Sequence, residues 1–439
     1  MPKGPRKFIF SFTKSGLTRY AGLMLFHQFC KSIGLRNYLQ MYVRWPDYHY
    51  RNFHPADIFL THLFSIVAGI GRVENTQSLY HNGLIPPLLG FTDFPHRDTL
   101  REFLRRYDAT HLKSLQSAHD TLRSKLFHHL HLGYTAIVDT DTTPLTVFGR
   151  QQEAAAGYNP KYHGKHSYSP IIASEGTMGL SLGIILRPGN FHSSAGALDF
   201  LKQVLHKLPS SIAATRIRLR LDGGFYDKDI IHFLDVEGYG YVIAAKRTRP
   251  LRKQIVTARY HRFAPGWEVA SFSYTPFHWD QSHRFIAIRR PVEAESETQQ
   301  KLFTFKRYTY HNTLVTNLTL TPEAIYRSYR KRALQELLIR ELKDSYYMSK
   351  IPSRMFYANA AYMEIILWAY DLVLAFQYLC LPPQHQHWNI HTLRRELWWL
   401  PAEWVKRDNR NMLLLPEKYH YEKLFTKIQK TISKLKPIF

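Results

Sequence analysis

Apolar residues along the first 130 or so positions recur at helical spacing. "SGLTRYAGLMLFHQFCKSIG" has a Ser/Thr start, apolar positions three and four apart, and a glycine stop, so it predicts a helix. "FPHRDTLREFLRRY" places Asp98 or Thr99 as a cap before a second helix bearing Arg101, Arg105 and Arg106. With the turn "LGFTDFP" and the helical stretch before it, this reads as a helix-turn-helix-like pair. An ordinary amphipathic helix with a solvated basic face has the same pattern. From His131 the period changes. "YTAIVD" and "GLSLGIILRPGN" are short β-type runs. In "IRLRLDGGF" the residues Ile217, Leu219 and Leu221 point one way, and Arg216, Arg218, Arg220 and Asp222 the other. Helical segments over 195–208 and 227–238 lie between and after the strands, and strands mixed with helices predict an α/β core.

From about Tyr241 to Leu320 the chain is strand-rich, in "YGYVIAAKR", "WEVASFSYTPF", "HRFIAIRRPV", "KLFTFKRYTY" and "NTLVTNLTL". A charge-laced helix, "YRSYRKRALQELLIRELK", follows over Tyr326–Lys343. After it comes a long apolar helix ending at Cys380, then the loop "LPPQHQHWNIH" and a basic helical tail. No internal repeat is visible. The pattern divides the chain into a helical DNA-binding or dimerisation region (1–130), the first part of a core (131–240), a β-rich insertion (241–320), the second part of the core (321–385) and a C-terminal helical region (386–439).

Composition narrows the partners. The 439 residues carry 59 Lys and Arg against 34 Asp and Glu, a formal net charge of +25. That excess favours a polyanion, most simply nucleic acid. The basic residues cluster: Lys246 to Arg262 includes Lys246, Arg247, Arg249, Arg252 and Lys253 and no acid. Two distant cysteines, Cys30 and Cys380, make neither a disulfide framework nor a zinc cluster, and fit a reducing compartment. "MPKGPRKFIF" lacks the apolar run of a signal peptide. The segment Ala358–Cys380 is long enough to span a bilayer but carries Glu364 and Asp371, so a buried core helix is expected and no membrane association. The histidines of "FHHLHLG" and "HQHWNIH" have no cysteine or carboxylate at zinc spacing. "RPGN", Arg187 to Asn190, reads as a turn with a structural role.

Three acidic positions stand out. Asp139 and Asp141 in "AIVDTDTTPL" lie two apart on a strand and share a face. Asp222 ends a strand before Gly223-Gly224, where a plain Asp-Gly turn is the ordinary use. In the helix, at 100° per residue, Tyr329, Arg332, Glu336 and Lys343 fall within about 60° of arc and Glu341 points elsewhere. Leu334, Leu337, Leu338 and Leu342 form a separate stripe expected to bury against a sheet. Carboxylates in a basic protein suit phosphoryl transfer: Mg²⁺ takes a few oxygen ligands from protein and the rest from water and phosphate, and two such ions can serve the attacking and leaving oxygens.

"DTDTTPL", "LDGGFYD" and the Tyr-x-x-Arg-x-x-x-Glu-x-x-x-x-x-x-Lys spacing of Tyr329, Arg332, Glu336 and Lys343 resemble the DDE transposases of bacterial insertion sequences, in the branch named for that signature. "GYNPKYHGKHSYSP" and "LRPGN" look like features of a group within it thought to be related to piggyBac elements. The resemblance runs from about Ser15 to the C-terminal helices. It implies an RNase H-like core, a mixed sheet flanked by helices, with a β-rich insertion between the second aspartate and the glutamate. It implies Asp141, Asp222 and Glu336 as the ligands of two Mg²⁺ (or Mn²⁺) ions. Asp141 is preferred over Asp139 because the family's first aspartate precedes a Ser/Thr-Thr pair, here Thr142-Thr143, while Asp139 stays open as a support or an additional ligand.

The implied reaction is cleavage at transposon terminal inverted repeats and strand transfer into target DNA by a homodimer, in the nucleoid of a bacterial cytoplasm. Tyr329, Arg332 and Lys343 are then expected at phosphates near the cut, the 246–262 segment and Arg101 and Arg105 on DNA, and Trp267 or Trp279 in the core or on a flipped base. The alternatives are a DDE-type nuclease without strand transfer and a domesticated DNA-binding protein.

Overall fold

A computed structural model of the chain describes residues 11, 16–47, 53–80, 94–130, 134–292, 308–407 and 410–439. The turn of the helix-turn-helix-like pair, all of "KLFTFKR" and His131 lie outside them. The chain forms two compact units. One comprises 1–42, 48–103 and 376–439, and the other 43–47 and 104–375.

The larger unit is built on a nine-stranded sheet. Its strands are β1 (Ala136–Thr142), β2 (Ile171–Glu175), β3 (Ser181–Ile185), β4 (Ile217–Leu221), β5 (Gly240–Ala244), β6 (His261–Ala264), β7 (Trp267–Tyr274), β8 (His283–Pro291) and β9 (Tyr308–Thr316), in the spatial order β6-β7-β8-β9-β5-β4-β1-β2-β3. β1, β2 and β3 pair antiparallel, and β4 and β5 join parallel to β1. This is the mixed arrangement of an RNase H-like core. The central strands are buried on both faces, so β1 opens as a continuous apolar run rather than an alternation. β6 to β9 do not form a separate sheet: β9 pairs antiparallel with β5 and carries the core sheet outward by four strands. Val242, Val269, Ile286, Ile288 and Leu314 bury one face of this extension against Ile325, Tyr326 and Tyr329.

The helices of this unit are α1 (Ala109–His129), α2 (Ala197–Leu205), α3 (Lys228–Val236), α4 (Arg249–Thr257), α5 (Pro322–Arg330), α6 (Ala333–Asp344) and α7 (Phe356–Cys380), whose residues after Ala375 belong to the other unit. Asp108 caps α1 by accepting from the His111 N–H, and Thr321 caps α5 beside its Pro322. α7 passes the length and hydropathy test for a membrane span but is mostly buried within the fold. Its Glu364 and Asp371 account for that burial. Glu364 Oε1 is 2.6 Å from His119 Nδ1, and Asp371 Oδ2 is 3.2 Å from Arg123 Nε and accepts from the Ser181 hydroxyl at 2.6 Å.

Two sequence expectations fail here for identifiable reasons. The stretch Tyr326–Lys343 is not one helix; α5 ends at Arg330 and α6 starts at Ala333. Between them the bonds tighten to a three-residue step, Lys331 N–H to the Ser328 carbonyl and Arg332 N–H to the Tyr329 carbonyl. The Ser328 carbonyl also accepts from Arg220 Nη1 at 3.1 Å, so a side chain takes the place of the usual i+4 donor. Of the expected leucine stripe, Leu338 and Leu342 are buried, together with Gln335 and Ile339, while Leu334 and Leu337 are 54% and 51% exposed.

In the smaller unit, Gly16–Thr18 is a strand and the first helix begins at Leu23. That strand pairs with Ala402–Trp404 of a hairpin formed by Ala402–Arg407 and Arg410–Leu414, so the C-terminal region is not helical throughout.

Candidate active site

Strand register positions the two aspartates. β1 and β4 run parallel with Ala136 beside Ile217, Asp139 beside Arg220 and Thr140 beside Leu221. Carrying that register one residue further sets Asp141 beside Asp222, both just where the chain leaves the apolar part of the sheet. Paired residues on adjacent strands share a face, so Asp139, Arg220, Asp141 and Asp222 all lie on the side that α6 covers. α6 is pinned there by Gln335, which is buried, bonds the Ser174 hydroxyl and donates to the Ile172 carbonyl at 3.1 Å on β2.

Asp141 and Asp139 have different surroundings. Asp139 is 1% exposed, and Arg220 grips both its oxygens, Nε to Oδ1 at 2.7 Å and Nη2 to Oδ2 at 2.5 Å. Asp141 Oδ1 accepts from the Thr142 N–H at 2.8 Å, and Oδ2 accepts from Arg332 Nη1 at 3.0 Å. The other end of that guanidinium, Nη2, meets Glu336 Oε1 at 2.5 Å. Arg332 therefore bridges Asp141 and Glu336. Asp222 Oδ1 accepts from the Gly224 N–H at 2.9 Å, which caps a short turn over Gly223–Phe225.

The electrostatics of the cluster centre on Asp141 and Arg332. Burial lifts the Asp141 carboxyl to about 6; Arg332 opposes the rise and the neighbouring Asp222 charge adds to it. Burial works against the Arg332 charge, yet Asp141, Tyr329 and Glu336 together hold it well above the ordinary guanidinium value. Asp141, Asp222 and Glu336 offer only carboxylate oxygens, the donor type hard cations take. Among the described residues no three His, Cys, Asp or Glu side chains converge closely enough to hold an ion as they stand. The guanidinium of Arg332 lies between Asp141 and Glu336.

The rest of the basic signature is also local. Lys343 Nζ donates to Thr143 Oγ1 at 3.0 Å and to the Pro144 carbonyl at 3.2 Å, and its half-buried position lowers its pKa. Tyr329 is buried in the core cluster, with Arg332 5.9 Å from its ring centre. Glu341 lines a cleft with Leu334, Leu337 and Tyr370 that Asp139 also borders and Asp141 and Glu336 do not.

Residues expected on DNA divide into two groups. Lys246, Arg249, Arg252 and Lys253 are exposed on or before α4, whose Leu251 and Ile255 are buried. Arg247 instead donates to the Tyr310 carbonyl at 2.9 Å and to that of His311, which fixes it to β9. Arg101 is paired with Asp98 and Glu74, whereas Arg105 is exposed. Trp267 packs on the core cluster, and Trp279 stacks on Tyr226.

One group beside the aspartates was not singled out for chemistry in the sequence. Ser193 Oγ lies 3.4 Å from Thr142 Oγ1, next to Asp141. A Cβ on Gly224 would fall 2.5 Å from Ser193 Cβ and 2.9 Å from Asp222 Oδ1, so Gly224 is required by close approach rather than by a flexible turn. The visible signal was the "RPGN" motif just upstream, read there as a turn.

Residues 2–437 match the family model described as transposase DDE domain, group 1. No curated protein is a match to the chain. Among solved structures, a piggyBac transposase synaptic complex with hairpin DNA, seen by cryo-electron microscopy, is similar at 12% identity. Its TM-score is 0.45, and the alignment covers 97% of this chain and 88% of that one. With nearly its whole length matched, the chain belongs to the DDE-domain transposases, enzymes that cut DNA and transfer the cut strand.

Proposed function

We propose that Asp141, Asp222 and Glu336 are the catalytic carboxylates of this transposase, and that they act at the ends of the element that carries its gene. The observation that carries the assignment is the pair Asp141 and Asp222 at adjoining ends of parallel strands, with Glu336 tied to Asp141 through one guanidinium. The family generally uses divalent ions. Here the three carboxylates would hold two Mg²⁺ or Mn²⁺ ions, which supply Lewis-acid activation of the attacking oxygen and stabilisation of the leaving one. Arg332 keeps the carboxylates neutralised beforehand and can turn its planar donors to a phosphate afterwards. Lys343 braces the segment after Asp141 through Thr143 and Pro144. Asp139 is a support, since both its oxygens are held by Arg220.

The exposed basic face of α4, with Lys246, Arg249, Arg252 and Lys253, grips the DNA end, and Arg105 adds a further contact. The element is a bacterial insertion sequence, the substrate is its terminal inverted repeat, and a homodimer pairs two ends for insertion into target DNA at the nucleoid.

The test uses duplexes copying the DNA that borders the gene, with Mg²⁺ and a target plasmid. Cleavage followed by joining is expected. Cleavage without joining identifies a nuclease, and binding without cleavage identifies a DNA-binding protein. Asp141→Asn, Asp222→Asn and Glu336→Gln should each abolish cleavage while retaining DNA binding; full activity in any of them removes that residue from the set. Glu341→Gln should be close to silent.

A further inference from the structure

The segment between β3 and α2 lies against Thr142 and Gly224, close neighbours of the two aspartates in the chain, and has no part in the chemistry described so far. It is held by Arg187, which is 4% exposed. Arg187 Nε donates to the Ser169 carbonyl at 3.0 Å, and Nη1 donates to the carbonyls of His192, Ser193 and Ala195 at 3.2, 3.4 and 2.5 Å. Nη2 is buried without a hydrogen-bond partner, and among the described residues no carboxylate pairs with this guanidinium. A buried cation facing only neutral carbonyls is costly, and burial draws its pKa down to about 10.

The clamp has a consequence for the backbone. All described peptides are trans. In a trans peptide the carbonyl and the following N–H point in opposite directions. Turning the His192, Ser193 and Ala195 carbonyls onto Arg187 turns the Ser193, Ser194 and Gly196 N–H groups away from it. The Ser194 N–H is taken by His192 Nδ1 at 3.2 Å. Those of Ser193 and Gly196 have no acceptor among the described residues. Gly196 is in the left-handed conformation and opens α2, so these donors sit beside a helix N-terminus. Ser193 itself is wedged between Thr142 and Gly224, the neighbours of Asp141 and Asp222. Ser193, with an N–H and a hydroxyl, thus lies beside the carboxylate site, and Arg187 holds its backbone from the other side.

We propose that the segment Asn190–Gly196 binds a phosphate of the DNA strand lying across the carboxylates, through the Ser193 N–H and hydroxyl, with Arg187 as the positioning residue. This rests on the assignment of Asp141 and Asp222 made above. Carboxylates repel a phosphate, and the approaching strand needs neutral or positive donors beside them; Ser193 supplies these without competing for a cation.

The experiment is single-turnover cleavage by the full chain of duplexes copying the DNA that borders the gene. In one series each phosphate near the cut is replaced in turn by a neutral methylphosphonate. Ser193→Ala should cleave the natural duplex about tenfold more slowly, as expected for losing a hydrogen bond to a charged group. Ser193→Thr should restore the rate, and the unfolding midpoint should stay unchanged in both. At one methylphosphonate position the wild type and Ser193→Ala should become equal. Equal rates on the natural duplex, or a slowing that persists at every methylphosphonate position, overturns the proposal. Asp141→Asn is run alongside. If it is dead while Ser193→Ala matches wild type, only the phosphate contact fails; if it cleaves at full rate, the carboxylate assignment fails and the contact with it.

Discussion

Asp139 and Arg220 face each other across parallel strands β1 and β4, both almost fully buried, and the same guanidinium reaches on to the carbonyl of Ser328. This pair links the sheet to the break between α5 and α6, and the break sets the direction in which Arg332 and Glu336 point. Breaking a buried pair by removing one partner leaves an uncompensated charge and costs about 3–5 kcal/mol. Asp139→Asn and Arg220→Met should therefore lower the unfolding midpoint by many degrees, and cleavage should fall with it. Asp141→Asn should not lower that midpoint. Thermal unfolding of the three variants separates a supporting aspartate from a catalytic one; an unchanged midpoint in Asp139→Asn would count against the support role.

The two aspartates differ in sequence only by context, and the sequence left Asp139 open. What sets their surroundings apart is the partner across the strand, Arg220 for Asp139, which one-chain periodicity cannot supply. The same limit hid the break in Tyr326–Lys343. No glycine or proline marks it, because it is made by Arg220, more than a hundred residues upstream. The three carboxylates could be named as candidates from the sequence, Glu336 by its spacing against Tyr329, Arg332 and Lys343. The Ser193 segment was not, because Arg187 holds it through main-chain carbonyls that any residue would present. The strand-rich run from Tyr241 was legible as strands, but not as an extension of the core sheet, which depends on β9 returning to pair with β5.

Asp141 predicts a conflict between stability and function. A carboxyl whose folded pKa is raised favours folding when protonated, and that contribution is lost as pH rises through the folded value. For Asp141 the window runs from 3.8 to about 6. At neutral pH the charged group thus costs the folded state up to about 3 kcal/mol at 1.36 kcal/mol per unit, a net figure that already includes the opposing pull of Arg332. Without divalent ions, Asp141→Asn should unfold at the same temperature as wild type or higher. Adding Mg²⁺ should raise the wild-type midpoint and leave the variant unmoved. Wild-type cleavage should decline as pH falls through about 6. A variant that gains as much from Mg²⁺ as wild type would show the ion held elsewhere.

The corrected face of α6 is directly testable. Of the four leucines expected on one buried stripe, Leu342 is fully buried while Leu337 is half exposed. Leu342→Ala should cost about 2–5 kcal/mol, the usual range for deleting a buried leucine side chain. Leu337→Ala should stay within about 1 kcal/mol, as surface changes do. Chemical denaturation measures both; equal losses would mean that Leu337 is buried as deeply as Leu342.

Acid should act first on the packing of α7 against α1. Burial alone would push the Glu364 carboxyl upward. The hydrogen bond from His119, and the charges of His119, Arg123 and Lys207, reverse this and hold it at about 2. A carboxylate with a depressed folded pKa stabilises above its unfolded value, and that stabilisation is lost as pH falls, here between 4.5 and about 2. The loss is coupled to its neighbours: His119 stacks on Trp368 at 4.4 Å, and Arg123 also bonds Ser181 and Asp120. Protonating Glu364 therefore leaves a fully buried Arg123 with less compensation, which amplifies the effect. Circular dichroism should show stability falling steeply below about pH 4.5. Glu364→Gln should be less stable than wild type at pH 7 by about 3–5 kcal/mol, with a flatter decline in acid because the titrating group is gone. Parallel acid curves for the two proteins would mean that another carboxylate governs the transition. Wild-type stability at pH 7 in Glu364→Gln would mean that this network does not hold the apolar helix in the core.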